Sequence, residues 1–248
     1  MPVTLTGTIG DDLLDADFAE TTQTVVLEGL DGDDLLIGSS DRDVLKGGTG
    51  DDTLRGEDGN DVLRGNQGND TILLGKGNDV VFAAGGDDII FGQKGNNTIN
   101  AGGGNDWIST GDQTSTVDGG SGDDTIVIRT KKGADHIITG GAGADDFEFI
   151  QLAKSKQSDV TITDFDTSED AMWFDDLAGK FELATYFLDD GLFVGEETIV
   201  EEVIEIDGSV TIELTTGDSV TLLGVSEAEL RDYAFDGEEP PFIPEILG

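Results

Sequence analysis

From Asp34 the chain places an aspartate every nine residues, at Asp34, Asp43, Asp52, Asp61, Asp70, Asp79 and Asp88, and again at Asp106 and Asp124. Glycines accompany them at fixed offsets. Gly47 and Gly50 precede Asp52, Gly56 and Gly59 precede Asp61, and Gly65 and Gly68 precede Asp70, while Gly77, Gly86, Gly104 and Gly122 each stand two residues before an aspartate. An ionised carboxylate is an acceptor-only oxygen ligand, and glycine lets backbone carbonyls approach an ion closely. Oxygen ligands of this kind suit a hard divalent cation. Ca2+ takes six to eight of them in irregular geometry, whereas Mg2+ keeps its waters and demands a tighter octahedron.

The elements that position these groups follow from the period. Eleven nonads run end to end from Gly29 to Val127, the clearest being GGTGDDTLR, Gly47 to Arg55. Within each, the first six residues turn and the last three extend, so the eighth side chain points inward and the seventh and ninth outward. The eighth places, from Leu36 and Leu45 through Ile72, Ile90 and Ile108 to Ile126, are large and aliphatic and form the predicted core. Two nonads make one coil of a parallel β-roll, an all-β solenoid in which alternate aspartates share an edge. One edge carries Asp34, Asp52, Asp70, Asp88, Asp106 and Asp124; the other carries Asp43, Asp61 and Asp79 but then Asn97 and Ser115. Cation binding is therefore expected to be continuous on the first edge and to thin out on the second after Asp79. Stacked aspartates about 4.8 Å apart repel by about 0.9 kcal/mol per pair even in water, so the file calls for a counter-ion.

The repeat GGxGxDxUx, with U a large apolar residue, resembles that of the RTX (repeats-in-toxin) family. That resemblance implies several Ca2+ ions between successive turns of an edge, held by carbonyl oxygens and sixth-position Asp side chains. It also implies a secreted, extracellular protein that leaves through a type I exporter reading an uncleaved C-terminal signal, and folding on Ca2+ outside the cell.

An early repeat, GTIGDDLLD from Gly7, places Asp12 at the sixth position, and residues 1–28 are expected to form an N-terminal cap whose Phe18, Val25, Val26 and Leu27 cover the apolar end of the roll. After Val127 a two-residue slip leads to TKKGADHII, with Asp135 sixth, His136 seventh and Ile137 eighth. GGAGADDFE then adds Gly143 and Asp145, with Phe147 as an end plug. The calcium-binding roll is thus set at 29–148, a β-rich C-terminal cap and export region at 149–236, and a mobile Pro-rich tail at 237–248. Val160 to Phe174 resembles the segment that follows the last repeat in RTX proteins. Strands are predicted at Leu192 to Val194, Thr198 to Ile206, Val210 to Leu214 and Val220 to Leu223, with a hairpin turn at Asp207 and Gly208. Ser226 and Glu229 form a capping box that opens a short helix.

The formal net charge of −41, from 54 acidic against 13 basic residues, argues against nucleic acid and anionic membranes as partners. No cysteine is present, and no apolar run is long enough to cross a membrane. MPVTLTGTIGDDLL lacks the basic and apolar regions of a signal peptide. With His136 as the single histidine, read as outward-facing, an HExxH motif or a multi-histidine zinc site cannot be built, and GxSxG is absent. A non-enzymatic module is therefore expected. Carboxylate pairs such as Asp164 with Asp166, or Glu201 with Glu202, leave a glycan-active enzyme as a minor alternative. The outward residues Leu73, Ile89, Phe91, Trp107 and Val127 form an apolar strip. It either packs under the chain's own C-terminal segment or serves self-association or a surface partner. Ice binding would need a flat matched row of Thr and Asn, and the third and fifth places do not supply one.

Overall fold

The computed structural model describes residues 2–16, 24–129, 133–150, 158–176, 179–182, 187–188, 191–192, 200–214 and 217–233. Phe18 and the tail at 237–248 lie outside them. The strands in chain order are β1 (Val3–Thr6), β2 (Leu13–Asp15), β3 (Val25–Asp31), β4 (Leu35–Ile37), β5 (Val44–Thr49), β6 (Thr53–Arg55), β7 (Val62–Gln67) and β8 (Thr71–Leu73). Next come β9 (Val80–Gly85), β10 (Ile89–Phe91), β11 (Asn97–Gly103), β12 (Trp107–Ser109), β13 (Ser115–Ser121), β14 (Thr125–Arg129), β15 (His136–Ala142) and β16 (Asp146–Ile150). The last are β17 (Asp159–Ile162), β18 (Ala171–Asp176), β19 (Gly179–Glu182), β20 (Phe187–Leu188), β21 (Gly191–Leu192), β22 (Val200–Ile206), β23 (Ser209–Leu214) and β24 (Ser219–Leu222), followed by helix α1 (Glu227–Tyr233).

Odd-numbered strands from β1 to β17 pair in parallel in one sheet, and even-numbered strands from β2 to β18 in parallel in the other, as a two-nonad coil requires. Register keeps every eighth residue in line. Leu27, Leu45, Leu63, Val81, Ile99, Val117 and Ile138 are successive partners in the first sheet, and Leu36, Leu54, Ile72, Ile90, Ile108, Ile126, Phe147 and Met172 in the second. All are buried. A one-residue slip would turn this whole file outward, so burial of the aliphatic row sets the register.

The roll is longer at both ends than the clean nonads. Val3 to Thr6 pairs with Val25 to Glu28, and Leu13 to Asp15 with Leu35 to Ile37. Residues 1–28, expected as a separate cap, therefore supply the first rungs of both sheets, and Leu27 occupies an ordinary eighth place. The boundary expected after residue 148 falls inside β16, and β17 and β18 add a further rung to each sheet. Phe147 is thus an interior rung rather than a plug. Wider side chains fill the last coils, with Phe147 against Phe165 at 5.7 Å and Phe149 stacked on Phe174 at 4.9 Å between ring centroids.

Beyond β17 the first sheet continues through β24, β23 and β22, the last two joints antiparallel. Asp207 and Gly208 both take positive φ, 52° and 72°, the two-residue turn expected there. Ser226 N donates to Glu229 Oε2 and Glu229 N to Ser226 Oγ, completing the capping box of α1. The strip on the outer face of the second sheet is only partly open: Val127 is buried, Leu73, Phe91 and Trp107 are half-buried, and Ile89 is 37% exposed.

Candidate metal centre

The sixth-place aspartates stand where each turn enters the next strand. Along the first edge each donates its backbone N–H to Oδ1 of the aspartate one coil on: Asp12 to Asp34, Asp34 to Asp52, Asp52 to Asp70, Asp70 to Asp88, Asp88 to Asp106, Asp106 to Asp124 and Asp124 to Asp145, at 2.7–3.0 Å. Asp145 N continues the series to Asp170 Oδ1 at 3.0 Å. One carboxylate oxygen of each residue is thereby spent on the backbone, which leaves the other.

That second oxygen decides the chemistry. Oδ2 of Asp34, Asp52, Asp70, Asp88, Asp106 and Asp124 on the first edge, and of Asp61 and Asp79 on the second, is buried and has no hydrogen-bond donor. A buried carboxylate oxygen without a donor is costly, and a hard cation satisfies it. Burial, the largest cause, pushes Asp61, Asp70, Asp106 and Asp124 up to about 7 and Asp52, Asp79 and Asp88 up to about 6. Donation from the backbone opposes that rise. The charges of file neighbours add to it at Asp61, Asp70 and Asp106. Asp34 and Asp145 are raised as well, again chiefly by burial. Among the described residues no three Asp, Glu or His side chains converge, so side chains alone do not complete a coordination shell.

The glycines serve this geometry in two ways. Fourth-place Gly50, Gly59, Gly68, Gly77, Gly86, Gly104, Gly122 and Gly143 all take positive φ, and a Cβ on Gly77 would overlap Gly59 O of the preceding coil. First-place Gly47, Gly56 and Gly65 are not left-handed. They are there for space, since a Cβ on Gly47 would overlap Asp52 Oδ2. Ala83 and Ala101 hold that place before Asp88 and Asp106, so the turn can adjust to a methyl. Most second places also take positive φ, and Leu30, Glu57, Asn66, Ala84 and Gln93 adopt it without being glycine.

Where the files end, local donors replace the bare oxygen. Asp12 Oδ2 accepts from Thr8 N and Oγ1, Asp43 Oδ2 from Ser39 N and Oγ, and Asp170 Oδ2 from Asp166 N. On the second edge beyond Asp79 the side chains carry their own donor. Asn97 Nδ2 donates to Gly92 O at 2.6 Å, and Ser115 Oγ to Thr110 O at 2.8 Å.

His136 holds the next sixth place. Its Nδ1 accepts from Ser115 N at 3.2 Å, which leaves the proton on Nε2, 3.1 Å from Arg129 O. Burial lowers its pKa and keeps it neutral. The expected outward-facing histidine is therefore buried, Ile138 rather than Ile137 is the core residue, and Ile137 is 50% exposed. Asp135 moves to the exposed fifth place, where its Oδ1 accepts from Asp159 N. The whole three-residue insertion precedes His136. Two adjacent isoleucines fit the core equally well by type, so composition alone could not place it.

Sequence reasoning also missed Asp170 and the fifth-place ladder. Asp170-Ala171-Met172 repeats the Asp-x-apolar signature of Asp52-Thr53-Leu54, a signal that could have found it. The fifth-place Asp and Asn residues accept from the following coil, as Asp33 Oδ1 does from Asp51 N and Asp51 Oδ1 from Asn69 N. The sixth-place ladder accepts from the preceding coil, so the two ladders lash the stack in opposite senses.

Residues 28–63, 46–81, 64–99, 82–117 and 91–126 match the family model of the RTX calcium-binding nonapeptide repeat. Residues 28–126 are an RTX repeat array. RTX nonapeptide repeats bind Ca2+, and the donor-free Oδ2 atoms of this array fit that ion. No curated protein matches the chain in sequence. One solved structure it resembles is the extracellular lipase LipA from Serratia marcescens, at 16% identity and a TM-score of 0.28; the match covers 84% of this chain and 41% of that one. This chain thus spans about two-fifths of the lipase's length.

Proposed function

We propose that this chain is a secreted, non-enzymatic module whose roll folds on Ca2+ outside the cell. The observation that carries the reading is the set of buried, donor-free Oδ2 atoms, which recur one per coil from Asp34 to Asp124 on the first edge and stop at Asp79 on the second. Ions would lie between successive members, Asp52 with Asp70 and Asp70 with Asp88, completed by turn carbonyls. Each coil from Gly29 to Asp118 buries only two or three large aliphatic side chains, so binding free energy contributes directly to folding. At submicromolar cytosolic calcium the files repel and the chain stays unfolded; at millimolar extracellular calcium it folds. Folding only after export is compatible with passage through a type I exporter. Supporting a non-enzymatic role, both ring nitrogens of the single histidine are engaged by backbone groups. Residues 149–236 serve in this reading as C-terminal cap and export region.

Circular dichroism with and without chelator tests the proposal. The β signal and melting temperature should collapse on chelation and return with Ca2+ but not with Mg2+; a spectrum indifferent to chelation would overturn it.

A further inference from the structure

At the rim between the outer face of the second sheet and the second edge, the ninth-place row reads Leu73, Phe91, Ser109 and Val127. Ser109 is the small member, and its size leaves a notch between bulky neighbours. The notch is part of a cavity of about 230 Å³, whose wall includes Phe91, Lys94, Ser109, Asp112 and Arg129. Arg129 Nε donates to Ser109 Oγ at 3.1 Å and Arg129 N to Thr110 Oγ1 at 3.1 Å, so the guanidinium is anchored at its base. Its terminal nitrogens make no hydrogen bond or ion pair with a described residue, and neither does the Lys94 ammonium. Of the other described cations, Lys46 pairs with Glu28, Lys76 with Asp58, and Arg64 lies over the Phe82 ring. In a chain of net charge −41, two uncommitted cations beside one aromatic ring are an unusual concentration of positive charge. They also lie where the second edge has exchanged donor-free aspartate for Asn97 and Ser115, so the cavity does not compete with the metal file.

We propose that this cavity binds a small acid in which a carboxylate is borne on a hydroxylated ring. The carboxylate is held by the Arg129 fork and Lys94, the ring lies against Phe91, and a ring hydroxyl donates to Asp112. An anchored guanidinium presents a planar, two-pronged donor to a carboxylate, and an aromatic wall with a few placed polar groups is the usual composition of a small-ligand site. The volume admits one ring and little more.

The test is calorimetric titration of the full calcium-loaded chain with 4-hydroxybenzoate in one arm and glucuronate in the other, and with phenol and methyl glucoside as neutral counterparts. Saturable one-to-one binding of either acid, and not of its neutral counterpart, is expected; the arm that responds tells an aromatic from a sugar ring. Arg129→Gln and Lys94→Gln should each weaken it about tenfold or more, the scale of a lost charged hydrogen bond, with dichroism and calcium uptake unchanged. Should Arg129→Gln unfold the roll, Lys94→Gln, at an exposed position, carries the test alone. Absence of saturable binding up to tens of millimolar, equal binding of the neutral analogues, or wild-type affinity in the Lys94 variant would each overturn the proposal.

Discussion

Asp79 donates its backbone N–H to Asn97 Oδ1 at 3.0 Å, and at that contact the second edge changes character. Asp79 Oδ2 has no donor, whereas Asn97 turns an amide N–H onto Gly92 O, the first carbonyl of its own turn. Asn97→Asp removes this donor and sets an acceptor against an acceptor. The variant should be less stable than wild type without calcium, by about 1–3 kcal/mol, and should bind one more ion at saturation. Calcium stoichiometry by titration checks the second point; an unchanged count would show that Asn97 is not what ends the second file.

Asp70 sits between Asp52 and Asp88, so two candidate sites share it. In calcium, Asp70→Asn should cost on the order of 3 kcal/mol, the scale of breaking a buried charged pair, and reduce the ion count by two. Without calcium at pH 8 the same change should stabilise, because a buried carboxylate without a donor is removed. Asp135→Asn, at an exposed fifth place, should leave ion count and melting temperature alike. Denaturant titrations of both variants with and without chelator show whether the sign inverts.

Acid and calcium should oppose one another. The buried file aspartates have native values of about 6 to 7 against 3.8 unfolded, so between these limits the native state binds more protons. The calcium-free roll is therefore favoured at low pH and loses stability as pH rises from about 4 through 7. Bound Ca2+ requires the ionised form, so the calcium concentration needed for folding should climb as pH falls below 7. Dichroism of the chelated chain across this range should show β structure gained on acidification. A gain on raising pH instead would contradict the assignment.

Leu30 takes φ of 90° at a second place, where Gly48, Gly75, Gly102 and Gly120 stand in other turns, and it is 43% exposed. Leu30→Gly should stabilise the roll by about 1 kcal/mol through relief of left-handed strain, offset in part by glycine's greater unfolded-state entropy. Thermal melts in saturating calcium read it directly.

His136→Leu strands two buried backbone groups, Ser115 N and Arg129 O, and should cost about 2–5 kcal/mol in calcium and chelator alike. Equal loss in both conditions separates this hydrogen-bonded stretch from the aspartate files, whose variants respond to calcium.

The nine-residue period carried most of the fold in plain view. An Asp every nine residues, an aliphatic residue two places on, and glycine two places before are local requirements of a turn and a three-residue strand, so they recur in most nonads and their exceptions, Asn97 and Ser115, stand out. That determined the β-roll, the two unequal edges, the register from Leu36 to Ile126 and the change at Asn97. What lay beyond the period was decided only by tertiary contact. Val25 to Leu27 became a rung because Val3 to Thr6 and Val44 onward flank it. Asp170 joined the first file across twenty-five residues because Met172 sits beneath Phe147. At His136-Ile137-Ile138 both frames bury an isoleucine, and the choice fell to the frame that lets His136 bridge Ser115 N and Arg129 O. Interactions between neighbours in sequence repeat with the sequence. Interactions between coils do so only while the coil length is constant, and once an insertion breaks that length, packing and buried hydrogen bonds choose the register.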